Sequence, residues 1–347
     1  MTRSCLKLTS SSDMNETIDS IVKIIVSGDC FIVASHMNPD GDAIGSTLAL
    51  SLAMEALGKK VIPYNIDGMP FQYKSLPMAD KLQSVFDADL TYDAVFVLDC
   101  SELERIGSDV AGSVRCKKWI NIDHHLTNKT FADLTLIDKS ACSTGYLVYK
   151  LILSLPVEIS KDIATNIYTT ILADTGSFRY SNATVEAFTV AGELVSMGVS
   201  PWEVAAMLYE NQPRARINLL TKSLNTLEIE SGGKVASMMV DLDMLRDTGT
   251  SHDATDGFIN YARSIEGVEV AVFFRQINAD EYKVSFRSKG RVNVAEVAME
   301  FGGGGHKNAA GCLIKGDIGE VRKIALTAAK KSTTSQFGNN IFDDVPM

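Results

Sequence analysis

The sequence predicts an α/β protein: a doubly wound, mainly parallel sheet in the N-terminal part, a smaller mixed α/β domain after it, and a cleft between them. Short apolar runs alternate with amphipathic helical stretches, and several of these runs end in acidic residues, which predicts the first domain. From about residue 217, helical stretches mix with short strand patterns, which predicts the second domain. The expected boundaries are a first domain over 15–210, a linker or hinge over 211–225, a second domain over 226–330 and a disordered tail over 331–347.

Composition and charge are those of an ordinary globular chain. It has 347 residues, of which 46% are hydrophobic and 22% charged. The net charge of -10 argues against a broad basic groove for long nucleic acid but leaves small anionic ligands open. The six cysteines show no CxxC spacing, which predicts mostly buried free thiols in a reducing cytosol and no structural zinc. No apolar run approaches the roughly 18 residues of a membrane span, so we expect a cytoplasmic, soluble protein.

The segment from His36 to Asp42 is the densest in chemical groups. It follows the apolar run 31–34, a predicted strand, and precedes a helical pattern over 43–60. It is therefore expected to form a strand-to-helix loop at the carboxyl edge of the sheet, where doubly wound folds bind ligands. In the alternative interpretation, Asp40 and Asp42 are a turn residue and an N-cap, and His36 is a core histidine. Because carboxylates this close repel one another, a metal site would need further ligands.

Further acidic residues and histidines follow the same logic. The apolar run 94–98 ends in Asp99, and the run 119–122 ends in Asp123, His124 and His125. A helix predicted over 162–173 ends in Asp174, at the unfavourable end of the helix dipole. A cation would compensate that placement, and an exposed, solvated aspartate is the alternative. Since the carboxyl ends of parallel strands share one edge, these groups are expected to meet.

The second domain contains a run of four glycines, Gly302 to Gly305, followed by His306 and Lys307. Four glycines have no use in a core element, so the run predicts a loop whose backbone approaches a ligand or another chain, with amides available to an anion. A flexible linker is the alternative. The neighbouring His306 and Lys307, together with the preceding Arg287, favour an anion site.

The ligand types point to hard divalent cations. Carboxylates with imidazoles and without cysteine suit Mn²⁺ or Mg²⁺ better than a thiolate-binding metal. A pair of such ions clamps a phosphate and generates hydroxide for in-line attack. Four of the five histidines lie in the motifs described above: His36, His124, His125 and His306.

Together these motifs resemble those of the DHH-family phosphoesterases with a DHH-associated C-terminal domain, in the nanoRNase/pAp-phosphatase (NrnA-like) branch. The resemblance covers roughly residues 20–330. It implies a catalytic first domain, a substrate-binding second domain, a homodimer formed through the first domain, and two Mn²⁺ ions, with Mg²⁺ or Co²⁺ as substitutes.

The resemblance also implies roles for individual residues. One Mn²⁺ would be held by His36, Asp40 and Asp99, and the other by Asp42, Asp99, His124 and Asp174, so that Asp99 bridges. Asp123 would orient His124, as carboxylates commonly position metal-bound imidazoles. His125 would face the scissile phosphate, stabilising charge or protonating the leaving oxygen. The implied substrate-binding residues are Arg287, Ser288, Gly302, Gly303, Gly304, Gly305 and His306. Arg105 and Arg179 are further phosphate-binding candidates, with a surface salt bridge as the alternative for each.

The implied activity is hydrolysis of very short RNAs and linear dinucleotides of the pGpG or pApA type to mononucleotides. Dephosphorylation of 3′-phosphoadenosine 5′-phosphate (pAp) is an implied second activity. A cyclic-dinucleotide phosphodiesterase is the main alternative. The glycine run argues against a family II pyrophosphatase, the acidic chain of 347 residues argues against a RecJ-like exonuclease, and the complete ligand set argues against a nucleotide-binding module without turnover.

Overall fold

The computed structural model describes residues 11–125 and 127–337. The chain divides into two compact units, Met1–Asn211 and Gln212–Met347. The expected disorder of residues 338–347 and the predicted free thiol of Cys5 lie outside the described residues.

The first unit is built from strands and helices that alternate along the chain. Its described strands are β1 Cys30–Ser35, β2 Lys60–Tyr64, β3 Thr91–Tyr92, β4 Ala94–Leu98, β5 Arg115–Cys116, β6 Trp119–Asp123 and β7 Leu134–Ile137. Its described helices are α1 Ser11–Ser27, α2 Gly41–Ala56, α3 Ser108–Ser113, α4 Thr144–Leu153, α5 Lys161–Asp174, α6 Val185–Ser196 and α7 Pro201–Ala205, which continues as a π-helical turn, Ala206–Glu210.

The main sheet of this unit is parallel throughout, in the order β2-β1-β4-β6-β7. Alternate side chains point to opposite faces, and each face is buried. Phe31 and Phe96 belong to the cluster that contains the buried residues of α2, α4 and α5, whereas Ile32 and Val95 pack in a second cluster with Val110 of α3. A parallel sheet covered on both faces is the doubly wound arrangement predicted from the sequence, and that prediction is confirmed.

Two glycines allow the helices beside the carboxyl edge to pack closely. A Cβ on Gly45 of α2 would lie 2.6 Å from Cγ2 of Thr170 in α5, and a Cβ on Gly145 of α4 would lie 1.9 Å from the Thr170 hydroxyl. Because neither glycine has a side chain, α2 and α4 both pack directly on α5. The N-termini of α2 and α4 and the C-terminus of α5, where the site residues lie, are therefore fixed relative to one another.

The second unit has a mixed sheet. Its described strands are β8 Glu228–Glu230, β9 Val235–Val240, β10 Val270–Asn278, β11 Glu281–Ser288, β12 Gly304–His306 and β13 Ala309–Lys315. Its described helices are α8 Arg214–Leu224, α9 Leu242–Thr248, α10 Ile259–Ser264, α11 Val294–Met299 and α12 Ile318–Phe337. The sheet order is β12-β13-β11-β10-β9-β8, with β9 and β10 parallel and the other pairs antiparallel. This agrees with the mixed α/β domain predicted after the first.

Several predicted boundaries differ from the structure. Much of the predicted linker is helix α8, because Leu219 and Leu220 are buried in a core cluster of the second unit. Residues 331–337, predicted as the start of a disordered tail, continue α12, where Thr333 is buried. Helix α10 begins only after Gly257, whose positive φ of 75° is incompatible with a continuing right-handed helix.

The cysteines of the described part of the chain are free thiols, and Cys100, Cys142 and Cys312 are buried. Burial raises the pKa of the Cys100 and Cys142 thiols to about 12, so both stay protonated at neutral pH. Within residues 11–125 and 127–337, none of the helices has the length and apolar character needed to cross a bilayer.

Candidate metal centre

The site lies where three adjacent strands of the parallel sheet end. His36 follows β1, Asp99 follows β4, and Asp123 is the last residue of β6. Three groups of these side chains place their ligand atoms within 4.8 Å of one another. The groups are His36, Asp40 and Asp99; Asp42, His124 and Asp174; and Asp99, His124 and His125. The structure therefore brings together all six metal ligands that were predicted from the sequence.

Asp40 both caps α2 and takes part in one of these groups. Its Oδ1 accepts hydrogen bonds from the amides of Asp42, at 3.0 Å, and Ala43, at 3.1 Å. The same carboxylate lies with His36 and Asp99 in a group that could hold a cation. A carboxylate has two oxygens and about four lone pairs, so the N-cap and ligand interpretations are compatible.

Asp99 is the central acid of the site and is held in an unusual backbone conformation. Its φ of 54° lies in the left-handed region, which costs a non-glycine residue about 1–2 kcal/mol. Its side chain is only 2% exposed. His36 Nε2 lies 3.4 Å from its Oδ2, and the Thr144 hydroxyl donates to its Oδ1 at 3.0 Å. Asp99 belongs to two of the three groups, as a bridging ligand would.

The ring of His124 points into a set of carboxylates. Its Nε2 lies 3.6 Å from Asp42 Oδ2, 3.7 Å from Asp99 Oδ1 and 3.8 Å from Asp174 Oδ2. Its Nδ1 lies 3.1 Å from the carbonyl oxygen of Ala141, which places a proton on Nδ1, so the neutral ring of a metal-bound state is the Nδ1–H tautomer. In that form the Nε2 lone pair faces the carboxylates, which is the arrangement that a metal ligand needs.

The carboxylates are crowded, and the pKa values show it. Burial and the charge of Asp99 raise the pKa of Asp42 well above its ordinary value, and burial raises the pKa of Asp174 to about 7. Burial lowers the pKa of His124, but the charges of Asp42 and Asp174 outweigh it and raise the value to about 9. Among the residues that the structure describes, the ion pairs of Asp42, Asp99 and Asp174 all involve histidine. Oxygen and imidazole donors with excess negative charge suit a hard divalent cation, so these residues fit the predicted metal.

Asp123 orients His125, which corrects the prediction that it orients His124. Its Oδ1 lies 2.6 Å from His125 Nδ1, and its Oδ2 accepts from Asn128 Nδ2 at 2.6 Å. To His124 it gives only a backbone contact, because it accepts from the His124 amide at 2.8 Å. The difference arises because the His124 ring turns toward Ala141, whereas the His125 ring folds back onto the end of β6.

The sequence prediction missed the segment 141–145, which leads from the loop after β7 into the first turn of α4. The amides of Thr144 and Gly145 donate to the two oxygens of Asp42, at 2.7 and 2.9 Å. Asp42 is only 1% exposed, and these amides solvate its buried carboxylate. Backbone donors leave no signature in residue types. Ser143, an N-cap residue before an apolar helix, was the one readable signal of this helix start.

The two predicted arginines of the first unit lie in loops next to the site residues. Arg105 is in the 3₁₀ turn Leu103–Ile106, and its carbonyl accepts from the Met37 amide at 2.7 Å. Arg179 is exposed in the turn after Asp174, and its Nε donates to the Gly176 carbonyl at 2.6 Å. In the described part of the chain, no salt bridge is formed by either arginine, so the surface-salt-bridge alternative gains no support.

The other predicted substrate residues belong to the second unit. Arg287 pairs with Ala309 across β11 and β13, and Ala309 pairs with His306 across β13 and β12. Arg287 and His306 thus occupy one row across three strands. Ser288 is buried at the end of β11, and its hydroxyl accepts from the Gly290 amide at 3.0 Å.

The glycine run is not the open loop that was predicted. Gly304 and Gly305 are part of the edge strand β12. A Cβ on Gly303 would lie 2.2 Å from the Gly311 carbonyl, and one on Gly305 would lie 2.4 Å from the Ala309 carbonyl. Gly302 and Gly305 also have positive φ values of 71° and 143°. Three of the four glycines are therefore required by the chain's own backbone, and only Gly304 has neither constraint.

Comparison with known proteins agrees with this fold and site. The model described as "DHH family, N-terminal domain" matches residues 30–171, and the DHHA1 domain model matches residues 232–332. A protein of Thermus thermophilus named bifunctional oligoribonuclease and PAP phosphatase NrnA is 37% identical over 87% of this chain and 90% of its own length. A Bacillus subtilis protein of the same name is 29% identical over 85% of this chain and 92% of its own.

Among solved structures, an exopolyphosphatase-related protein from Bacteroides fragilis superposes with a TM-score of 0.84 at 28% identity, covering 94% of this chain and 98% of its own. The fold, the acid–imidazole cluster at its sheet edge and the matched family together define the class of protein, a hydrolase of phosphoester bonds. The chain belongs to the DHH family, as the sequence motifs predicted.

Proposed function

We propose that the chain is a Mn²⁺-dependent hydrolase of very short RNAs and linear dinucleotides, and that it also dephosphorylates pAp. The observation that carries this proposal is the convergence of His36, Asp40, Asp42, Asp99, His124 and Asp174 at one sheet edge. The substrate class is supported by the names of the relatives with 37% and 29% identity.

Two metal ions are proposed because the ligand atoms form two separate groups, one of His36, Asp40 and Asp99 and the other of Asp42, His124 and Asp174. Asp99 is proposed to join the second group as a bridging ligand, because its Oδ1 lies 3.7 Å from His124 Nε2. When bound, such ions neutralise the charge of a phosphate and activate water for its hydrolysis. Mg²⁺ or Co²⁺ could substitute, because the donors are all oxygen and imidazole.

The chain's own contribution to proton transfer is the pair formed by Asp123 and His125. Asp123 accepts at His125 Nδ1, which fixes the ring and assigns proton delivery to Nε2. Burial lowers the pKa of His125, but its hydrogen bond to Asp123 and the charge of Asp99 outweigh burial and raise the pKa. We propose that the protonated ring donates to the leaving oxygen of the scissile phosphate.

We propose that the first unit is catalytic and that the second binds the far end of the substrate. Arg287, Ser288, Gly302 to Gly305 and His306 are the proposed anchors in the second unit, and Arg105 and Arg179 are proposed to contact phosphate in the first. A homodimer formed through the first unit and a location in the cytoplasm complete the proposal.

The activity is tested with purified protein in Mn²⁺ at equal substrate concentrations. The substrates are a 5′-phosphorylated diribonucleotide, a seven-nucleotide RNA, pAp, cyclic di-AMP, cyclic di-GMP and pyrophosphate. We expect the diribonucleotide to be cleaved fastest, with slower cleavage of the longer RNA and measurable release of phosphate from pAp. Preference for a cyclic dinucleotide would favour the alternative function, a cyclic-dinucleotide phosphodiesterase. Cleavage of pyrophosphate alone would contradict the proposal.

The anchoring role is tested by Arg287→Ala. We expect a loss of about tenfold or more in kcat/KM for the 5′-phosphorylated diribonucleotide, because a charge-assisted contact to phosphate is removed. A generic phosphodiester chromogen should lose little. Arg291→Ala is the matched control, since Arg291 is exposed and pairs with Glu269 at 3.6 Å. Equal losses on both substrates would contradict the anchoring role.

A further inference from the structure

We infer that the segment 141–145 is a positioning element of the metal centre, and that the Thr144 hydroxyl sets the placement of Asp99 relative to Asp42. This inference rests on the proposed metal-dependent function. It assigns a role to a segment that contributes no ligand of its own.

Thr144 contacts two of the central acids at once. Its amide donates to Asp42 Oδ2 at 2.7 Å, and its hydroxyl donates to Asp99 Oδ1 at 3.0 Å. All three residues are buried, with exposed fractions of 0% for Thr144, 1% for Asp42 and 2% for Asp99. Water therefore has little access with which to replace either bond, and Thr144 links the two carboxylates directly.

The same segment contacts the other ligands proposed for the second metal ion. The Ala141 carbonyl lies 3.1 Å from His124 Nδ1. Asn182 Nδ2 donates both to the Cys142 carbonyl, at 2.9 Å, and to Asp174 Oδ2, at 2.9 Å. Counting Thr144, residues 141–145 thus contact Asp42, Asp99 and His124 directly and Asp174 through Asn182.

The segment is itself firmly fixed. Ser143 caps α4 by accepting from the Tyr146 amide at 3.0 Å, and its hydroxyl lies 3.2 Å from the Thr170 hydroxyl of α5. Gly145 packs against Thr170 so closely that a Cβ could not be accommodated. The segment continues into α4, which packs on α5, and α5 ends in Asp174. The contact between these two helices therefore fixes the segment relative to Asp174.

These hydrogen bonds are compatible with metal binding. Each carboxylate oxygen has two lone pairs, so an oxygen that accepts from Thr144 retains a second for a cation. Partners that hold ligands in place in this way commonly contribute 10–100-fold to metal affinity. Removal of the hydroxyl alone should therefore weaken metal binding while the Thr144 amide still holds Asp42.

The test compares four proteins: wild type, Thr144→Val, Thr144→Ser and Thr169→Val. Valine matches threonine in shape and lacks the hydroxyl, whereas serine keeps the hydroxyl. Thr169 is an equally buried threonine of α5 whose hydroxyl, within the described part of the chain, bonds only to the carbonyl of Thr165 in its own helix, at 2.9 Å. Mn²⁺ affinity is measured from the electron paramagnetic resonance signal of free Mn²⁺ during titration, and thermal unfolding is recorded without metal.

We expect Thr144→Val to weaken at least one Mn²⁺ site by about 10–100-fold, with Thr144→Ser and Thr169→Val within about threefold of wild type. Wild-type affinity in Thr144→Val would overturn the inference while leaving the proposed function intact. An equal loss in Thr169→Val would also overturn it, since the effect would then be general packing. Thr144→Ala is measured alongside. If Thr144→Ala and Thr144→Val are both unfolded in the absence of metal, Thr144 has a structural role and the inference is overturned. Failure of the wild type to bind Mn²⁺ would contradict the proposed function itself.

Discussion

Both edges of the parallel sheet carry aspartates, but the surroundings shift the pKa values of these aspartates in opposite directions at the two edges. At the amino edge, Asp93 precedes β4 and accepts hydrogen bonds from the amides of Asp29 and Cys30, at 2.7 and 3.0 Å. Lys117 lies 2.6 Å from its other oxygen. The hydrogen bonds from Lys117 and from these amides lower the pKa of Asp93 to about 2.

At the carboxyl edge, the aspartates face one another and histidines. There the pKa of Asp42 is raised well above its ordinary value and that of Asp174 is raised to about 7, in each case first by burial. Asp93 at the amino edge has a lysine and two backbone amides as partners, whereas the ion pairs of Asp42, Asp99 and Asp174 in the described part of the chain all involve histidine. Residue type alone therefore does not mark a site; the crowding of buried carboxylates around histidines does.

The largest expected effect is the loss of hydrolytic activity when an aspartate of the carboxyl edge is replaced. Asp99→Asn should reduce diribonucleotide hydrolysis by about 10³-fold or more, or about 4 kcal/mol in the barrier, because the residue common to both proposed metal sites loses its charge. Asp93→Asn is the matched control at the other edge and should stay within a few-fold of wild type. The loss is measured as kcat/KM at fixed Mn²⁺. Similar losses in the two variants would contradict the assignment of the active site to the carboxyl edge alone.

The second effect concerns stability on metal addition. Mn²⁺ at 100 times its Kd should stabilise the chelator-treated wild type by about 2.7 kcal/mol, a rise in Tm of roughly 5–10 °C. Asp93→Asn should show the same rise and Asp99→Asn a much smaller one, as measured by differential scanning calorimetry. An equal rise in Asp99→Asn would place the bound ion elsewhere.

The smallest effect tests the amino edge by pH. The pKa of Asp93 is about 2 in the folded chain, below its ordinary value of 3.8. Its charged form therefore stabilises the fold above about pH 4, and that contribution is lost as the pH falls toward 2. Asp93→Asn should lower the free energy of unfolding by about 1–2 kcal/mol at pH 7, with the difference from wild type shrinking below pH 4. A difference that does not change with pH in urea unfolding would contradict the assigned cause.

Much of the sheet and most of the acid cluster could be predicted from residue types. An apolar run that ends in Asp99 or Asp123 indicates both a buried strand and an acidic residue at its carboxyl end. A buried parallel strand is a short apolar run, and the residue after it lies at the ligand-binding edge. The strand order β2-β1-β4-β6-β7 cannot be read from these runs, because they do not show which strands are neighbours.

Other features could not be predicted, for reasons that are physical. Every residue except proline has a backbone amide, so the hydrogen bonds from the amides of Thr144 and Gly145 to Asp42 leave no pattern in the sequence. The choice of Asp123 between two adjacent histidines depends on ring rotation, which sequence order does not determine. The glycine run gave a true signal of close approach, but the approach is largely to the chain's own strand β13.

The most direct test of the central claim is the metal content of the folded protein after dialysis against micromolar Mn²⁺, measured by inductively coupled plasma mass spectrometry. We expect two Mn²⁺ per chain for wild type and for Asp93→Asn, and at most one for Asp99→Asn. An unchanged metal content in Asp99→Asn, or a wild type that retains no Mn²⁺, would contradict the central claim.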